Sequence, residues 1–294
     1  MTTTLNADGN IIVGVDGSPA SENAVTWAAE EARLQRRDLT LVHAQTHVTT
    51  NELALLTSAG IAPQQIRDEI RTDAEHLVER AHSLASERCP GAAISTVIES
   101  EDARKLLLEL SRTASMTVVG TRGHGLVAGL LLGSVSAAVV RHAETPVAVV
   151  RPLQASARGI VVAADGSEDS LELAEHAYRE ASYRQVPLTI VHCLWDGLEA
   201  HVGWTAVSET DPRGVEARLR IAEAVAGLGE KFPDVEMRVE LTRGAIDACL
   251  VGLSAQHELL VIGRPARSLW VRLTLSGLTT AIAEHAKSPV LVVP

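Results

Sequence analysis

The chain has 294 residues, of which 46% are hydrophobic, 2% aromatic and 21% charged. This composition excludes general disorder and predicts cores of Val, Leu, Ile and Ala, which suit helices packed on buried parallel strands. The length favours two domains of about 150 residues each. The net charge of −11 argues against nucleic acid and anionic membrane as partners, because no run of Lys or Arg forms a local basic patch.

The sequence carries no signal for secretion or for a membrane. Residues 1–10 are polar and lack the basic and apolar regions of a signal peptide. No apolar run approaches the ~20 residues that cross a bilayer. Cys89, Cys193 and Cys249 are widely spaced and include no C-x-x-C pair, so we expect ordinary core residues in a reduced interior. The expected location is therefore the cytoplasm.

An internal repeat determines the predicted architecture. Residues 11–44 align without a gap to residues 160–193 at an offset of 149, with thirteen of the 34 positions identical. Later segments align at an offset of 143, so six residues are missing between the two blocks of the second copy. Such self-similarity indicates a tandem duplication. We expect two domains, residues 1–153 and 158–294.

The elements of the first copy alternate between strands and helices. Short apolar runs predict strands, and apolar residues at helical spacing predict helices. In chain order they are strand 11–15, a helix capped by Ser18, strand 39–44, a loop from Gln45 to Pro63, a helix over 66–84, strand 94–98, a helix around 106–110, strand 116–120, a helix from Gly133 and strand 147–150. This alternation predicts an α/β fold of two tandem doubly wound domains. Each would hold a five-stranded parallel sheet with helices on both faces.

Polar and glycine residues follow the strands whose carboxyl ends form the binding edge of such a sheet. Asp16 and its second-copy counterpart Asp165 come after the first strand, and Gly120 opens a glycine-containing loop after the fourth. Glycines there tolerate positive φ and let backbone N–H groups approach an anion, and Gly133-Ser134 adds N–H groups at a helix N-terminus. We expect a phosphate cradle made mainly of backbone, with Asp16 at a polar adenine or ribose edge.

Simpler explanations of the same residues stay open. The glycine loop is also compatible with a plain turn, and Asp16 with a residue that only braces the Asp-Gly turn. His43 and His192 lie on apolar strands, where hydrogen-bonded core histidines are the usual case. A P-loop is excluded because no G-x-x-x-x-G-K-[ST] string occurs.

The glycine spacing resembles a known family. Gly120-x-x-Gly123, nine residues and then Gly133-Ser134 are similar to the G-2x-G-9x-G-[S/T] motif of the ATP-binding universal stress proteins, as are Val-Asp-Gly-Ser and His-Ala-x-x-Pro-Val. The resemblance covers essentially the whole chain and implies strand order 3-2-1-4-5, ATP with Mg²⁺ as ligand, and regulation of stress responses or growth, with slow hydrolysis at most. The residues that it implies for binding are Gly14, Asp16, Ala44, Gly120, Arg122, Gly123, Gly133, Ser134, Val135 and Ser136.

The second copy departs from this motif. Ala266 replaces the second glycine, Pro265 removes a backbone donor, and the Gly-Ser pair is reversed to Ser276-Gly277. Ala163 also replaces Gly14, although Asp165 remains as a weak candidate for adenine. We therefore expect one strong nucleotide site, in the first copy.

The last strands of the two copies favour pairing. Residues 147–150 and 290–293 are β-forming and, in the implied strand order, lie at sheet edges, where an unpaired strand accepts another. We expect an internal pseudo-dimer through these edges, and tandem members of the family also form homodimers. Three functions stay open: an ATP-binding regulator of an unknown protein partner, a slow ATPase, and a nucleotide-free dimerisation or interaction module.

Overall fold

A computed structural model describes residues 7–45, 50–60, 62–123, 132–153, 156–194, 204–208, 210–264 and 269–294. The chain divides into two compact units, Met1–Thr145 and Pro146–Pro294, hereafter unit 1 and unit 2. Among the described residues, no helix combines the length and the apolar character that crossing a membrane requires.

Unit 1 contains four parallel strands and the helices that connect them. Its elements are β1 (Ile11–Gly14), α1 (Pro19–Gln35), β2 (Leu39–Ala44), α2 (Thr50–Ser58), α3 (Pro63–Arg88), β3 (Ile94–Glu99), α4 (Ala103–Ser111), β4 (Met116–Gly120) and α5 (Ser134–His142). The strand order is β3-β2-β1-β4. Strands β1 and β4 are buried almost throughout, as strands covered by helices on both faces must be.

Unit 2 repeats this arrangement with additions at both edges. Its elements are β5 (Val147–Val150), β6 (Ile160–Ala163), α6 (Glu168–Arg184), β7 (Leu188–Leu194), β8 (Trp204–Ala206), α7 (Pro212–Lys231), β9 (Met237–Gly244), α8 (Ile246–Ser254), β10 (Leu259–Gly263), α9 (Leu269–His285) and β11 (Val290–Val293). The strand order is β5-β11-β10-β6-β7-β9-β8. Only β5 on β11 and β8 on β9 pair antiparallel among these described strands.

The predicted α/β fold is confirmed, with three differences in detail. The second copy has the order 3-2-1-4-5 as β9-β7-β6-β10-β11, and the short edge strand β8 was not predicted. The last strand of the first copy, β5, belongs to unit 2, where Val149 lies opposite Val290. The expectation of a plain loop from Gln45 to Pro63 was wrong over α2, whose apolar residues lack the periodicity that marks the longer helices.

Local capping explains where the helices after the first strands begin. Ser18 accepts a hydrogen bond from the Ser21 backbone N–H, Pro19 occupies the first turn of α1, and Arg36 ends the helix in a left-handed conformation. The prediction that Ser18 caps this helix is confirmed. Ser167 caps α6 in the same way in unit 2.

Candidate functional site

A cleft of about 300 Å³ in unit 1 lies at the carboxyl ends of β1 and β4. All ten site residues expected in the first copy line it: Gly14, Asp16, Ala44, Gly120, Arg122, Gly123, Gly133, Ser134, Val135 and Ser136. The structure therefore brings together residues that are up to 122 positions apart in the sequence (136 − 14). This is the edge at which doubly wound sheets bind their ligands.

One wall of the cleft was missed by the sequence analysis. Leu106 and Leu107 on α4 face it together with Val42 and Val119, and both leucines are buried. The periodicity of α4 predicted Leu106 and Leu107 as core residues but could not show that they border a cleft. The fold offers one indication, because α4 packs beside the carboxyl ends of β1 and β2, where such sheets bind ligands.

Asp16 links the end of β1 to the start of α1 and to the loop after β4. Its Oδ1 accepts hydrogen bonds from the Ser18 backbone N–H at 3.0 Å and from the Ser18 hydroxyl at 2.6 Å. The same hydroxyl lies 3.3 Å from the carbonyl oxygen of Arg122. Asp16 therefore braces the turn, as the simpler explanation held, while its side chain also lines the cleft.

The glycines of the loop are required for space rather than for their backbone angles. A Cβ on Gly120 would lie 2.6 Å from the carbonyl oxygen of Ala20, and a Cβ on Gly123 would collide with Asp16 Oδ2. A Cβ on Gly133 would meet nothing closer than 3.6 Å. None of these three glycines has a positive φ, so the tolerance of glycine for positive φ is not used at Gly120, Gly123 or Gly133. Gly125 and His124 lie outside the described residues.

The N-terminus of α5 opens onto the cleft without a side-chain cap. Its N-cap residue is Gly133, whose own N–H donates to the Thr121 carbonyl at 2.7 Å. The N-termini of α1 and α4 are instead capped by Ser18 and Asp102. Because the first N–H groups of a helix have no partner within the helix and lie at its positive end, α5 presents an anion-binding end to the cleft.

The remaining expected residues have different surroundings. The Ser136 hydroxyl donates to the Gly120 carbonyl at 2.7 Å, which ties α5 to the end of β4. Arg122 and Ser134 are exposed, whereas Ala44 at the end of β2 is half-buried. His43 Nδ1 donates to the Val15 carbonyl at 2.7 Å, so the interpretation of a hydrogen-bonded core histidine is confirmed.

The second copy keeps the turn but changes the helix start. Asp165 Oδ1 accepts from the Ser167 N–H at 2.9 Å, much as Asp16 does from Ser18. Burial raises the pKa of Asp165, but hydrogen bonds from Ser167 and Ser170 and the nearby His192 together outweigh it, so the pKa is lowered. Ser276 and Gly277, the counterparts of Gly133 and Ser134, lie inside α9, which begins at Leu269. Their N–H groups are therefore within a helix and not at its end. Pro265 and Ala266 lie outside the described residues.

Comparison with known proteins identifies the family. The model of the universal stress protein family matches residues 9–151 and again residues 157–294. The chain belongs to the universal stress protein family. A universal stress protein of Mycolicibacterium smegmatis is 31% identical over 293 residues, covering 96% of each chain. One of Mycobacterium tuberculosis strain H37Rv is 31% identical over 298 residues, covering 98% of this chain and 97% of its own.

Solved structures of universal stress proteins show the same fold. The crystal structure of a universal stress protein from Archaeoglobus fulgidus has a TM-score of 0.67 at 17% identity and covers 97% of this chain and 96% of its own. A universal stress protein solved in complex with cAMP is 25% identical, covers 49% of this chain and 99% of its own, and has a TM-score of 0.37. The two mycobacterial relatives and the Archaeoglobus fulgidus structure with a TM-score of 0.67 each match this chain over nearly its whole length.

Proposed function

We propose that unit 1 of this universal stress protein binds ATP and that the bound nucleotide makes the protein a regulator of a stress response or of growth. The observation that supports this proposal is the cleft itself. Its lining combines apolar side chains with the N-terminus of α5, whose N-cap residue makes no side-chain hydrogen bond. An adenine nucleotide has two matching parts, a flat apolar base and a charged phosphate chain.

Each end of the nucleotide has complementary groups in the cleft. Leu106, Leu107 and Val42 provide apolar contacts for the base, and the Asp16 carboxylate provides an acceptor for a base or ribose donor. Backbone N–H groups from Ser134 to Ser136 provide the positive end of a helix for the phosphates. Mg²⁺ accompanies the nucleotide on its phosphates in this proposal. Neutral backbone donors explain how a chain of net charge −11 holds a polyanion.

For unit 2 we propose weak binding at Asp165 or none, and hence one nucleotide per chain. The observation that supports this is the start of α9, which encloses the counterparts of Gly133 and Ser134 within a helix. We retain residues 1–153 and 158–294 as the two domains of the duplication. The antiparallel pairing of β5 with β11 supports a structural role for the last strands in joining the two copies.

Calorimetric titration with ATP and Mg²⁺ tests the proposal, with Gly133→Val as the variant and Gly277→Val as its matched control. Valine fits the extended backbone of Gly133 (φ −70°, ψ 158°), where the nearest atoms to a Cβ are 3.6 Å away, but it fills space in the cleft. A Cβ on Gly277 meets nothing within 4 Å. We expect Gly133→Val to weaken binding by more than about tenfold, a loss of at least ~1.4 kcal/mol, and Gly277→Val to leave it unchanged.

Two results would contradict the proposal. One is the absence of ATP binding by the unaltered chain, both in titration and as nucleotide released by acid from the purified protein. The other is unchanged affinity in Gly133→Val. The same samples, held with ATP and Mg²⁺ and assayed for ADP, distinguish a regulator from a slow ATPase, because a regulator releases no ADP above the protein-free control.

A further inference from the structure

Two cysteines of unit 2 occupy positions that line the cleft in unit 1. At the repeat offset of 149, Cys193 corresponds to Ala44, and at the offset of 143, Cys249 corresponds to Leu106. Ala44 and Leu106 both line the unit 1 cleft. The second copy therefore has two thiols where the first has a methyl group and an isobutyl group. Neither difference is required by the fold, because both copies build the same strand and helix there.

The two thiols share one hydroxyl. Cys193 lies near the end of β7, directly opposite Thr242 on β9. The Thr242 hydroxyl donates to Cys193 Sγ at 3.1 Å and lies 3.0 Å from Cys249 Sγ, near the start of α8. Because that hydroxyl has one proton, the Cys249 thiol donates to the Thr242 oxygen when Thr242 donates to Cys193. A chain of hydrogen bonds thus runs from Cys249 through Thr242 to Cys193.

The surroundings make the two thiols unequal. The neighbouring Cys249 thiol lowers the pKa of Cys193 against the effect of burial, and the hydrogen bond from Thr242 lowers it further. The neighbouring Cys193 sulfur raises the pKa of Cys249, and burial raises it again. Cys193 is half-buried, whereas Cys249 is 0% exposed. Because the thiolate is the nucleophile, Cys193 is the thiol that reacts first and Cys249 is a protonated neighbour in reach of it.

We propose that Cys193 and Cys249 form a peroxide-sensitive dithiol that closes to an intramolecular disulfide. The Cys193 thiolate attacks a peroxide oxygen, an S–O bond forms as the O–O bond breaks, and hydroxide or alkoxide leaves and takes a proton. The Cys249 sulfur then attacks the sulfenic acid of Cys193, and an S–S bond forms as the S–O bond breaks. The departing hydroxide takes the Cys249 proton and leaves as water. Two electrons pass from the dithiol to the peroxide in total.

The disulfide would join the end of β7 to the start of α8 and fix that corner of unit 2. It is independent of nucleotide binding in unit 1, so either proposal can fail without the other. Cys89 supplies a control within the same chain, because its thiol is 2% exposed and burial raises its pKa.

The test is treatment of the reduced full-length chain with a small excess of hydrogen peroxide, followed by blocking of free thiols under denaturing conditions and peptide mass mapping. We expect two of the three thiols to be lost, a peptide pair linked through Cys193 and Cys249, and full recovery with dithiothreitol. Cys89 should remain free and react at least about tenfold more slowly. Three free thiols, a bond that involves Cys89, or over-oxidised Cys193 beside free Cys249 would each overturn the proposal.

Single-residue variants test which thiol reacts first, and not only whether the two thiols lie close together. In Cys249→Ser, we expect the sulfenic acid of Cys193 to persist and to be trapped by dimedone, whereas Cys193→Ser should leave Cys249 free. Thr242→Val removes one donor and keeps both thiols, so oxidation at neutral pH should slow about fivefold or more, with the rate profile shifted to higher pH. Thr242→Ser restores the hydroxyl and should restore both. An unchanged rate and pH profile in Thr242→Val would overturn the role assigned to this hydroxyl.

Discussion

Asp16 braces the turn after β1 and, in the proposed function, also accepts a hydrogen bond from the nucleotide; Asp16→Asn separates these two roles. The amide oxygen of asparagine can replace Oδ1 as acceptor from the Ser18 N–H and hydroxyl, so the turn keeps its brace. The negative charge is lost, and an NH₂ group replaces the other carboxylate oxygen, Oδ2, which lies toward Gly123. If the carboxylate accepts a hydrogen bond from the base or the ribose of ATP, that interaction is weakened or lost.

The magnitude follows from the type of bond. A hydrogen bond to a charged group contributes about 1.5–3 kcal/mol, so we expect the affinity for ATP to fall by roughly 10- to 150-fold. The free energy of unfolding should change by less than about 1 kcal/mol, because the brace is kept. Asp16→Ala removes the brace as well and should lower both the affinity and the stability, the latter by about 1–2 kcal/mol.

Unit 2 supplies a matched control for this prediction. Asp165 makes the same bond to the Ser167 N–H, so Asp165→Asn introduces the same chemical change at the corresponding turn. We expect Asp165→Asn to leave ATP affinity and stoichiometry unchanged. Calorimetric titration gives the affinity and urea denaturation gives the stability. Wild-type affinity in Asp16→Asn would refute the binding role, and a loss of stability as large as that of Asp16→Ala would refute the separation of the two roles.

Three further predictions concern stability, each measured by urea denaturation. Gly120→Ala should destabilise the chain by about 1–3 kcal/mol, because its Cβ would lie 2.6 Å from the Ala20 carbonyl oxygen. Gly229→Ala is the control, since Gly229 lies in open space on α7, and it should stabilise the chain by about 0.5–1 kcal/mol. Equal effects of the two substitutions would contradict the role assigned to Gly120. Arg151→Ala should cost about 2–4 kcal/mol, since the guanidinium donates to the carbonyls of Ala283, Glu284 and Ala286 at the end of α9, and a change below about 0.5 kcal/mol would exclude that capping role. Burial lowers the pKa of His257 below its usual 6.5, so unfolding takes up a proton below that pH. The free energy of unfolding should therefore fall as the pH drops below 6.5, and His257→Gln should make this fall less steep. An unchanged pH dependence in His257→Gln would assign it to other groups.

The buried neutral state of His257 has a structural cause. Its Nδ1 donates to the Leu253 carbonyl at 2.9 Å, and its Nε2 lies 3.3 Å from the Thr189 hydroxyl. That hydroxyl oxygen already accepts from the Arg238 guanidinium at 3.0 Å. A charged imidazolium there would be buried and beside the Arg238 cation, and burial is the larger of these two effects on the pKa. The histidines His176 and His192 also have pKa values lowered by burial, so part of the slope should survive the substitution.

The sequence predicted the parts of the fold that depend on local pattern. Buried strands read as continuous apolar runs, the Ser18 cap follows from a preference for hydroxyls at helix starts, and the repeat predicted a second copy of the same order. What it missed depends on three-dimensional proximity. No local pattern shows that the Ala20 carbonyl packs closely against Gly120, or that Leu106 on α4 borders a cleft beside β2. The edge strand β8 has only three residues, too few for a clear periodicity.

Residues that are identical in the two copies are not by themselves evidence for a ligand site. Asp16-Gly17-Ser18 and Asp165-Gly166-Ser167 make the same hydrogen bonds at the start of a helix, and both central glycines have a positive φ. Their identity in the two copies is fully explained by helix capping and by the turn, so it says nothing about a ligand. The positions that differ are informative instead. Where unit 1 starts a helix at the cleft, unit 2 continues one through the same place. Where unit 1 has Ala44 and Leu106, unit 2 has two thiols that share the Thr242 hydroxyl. The proposals for the two units rest on these differences, because they stand on a frame that both copies keep.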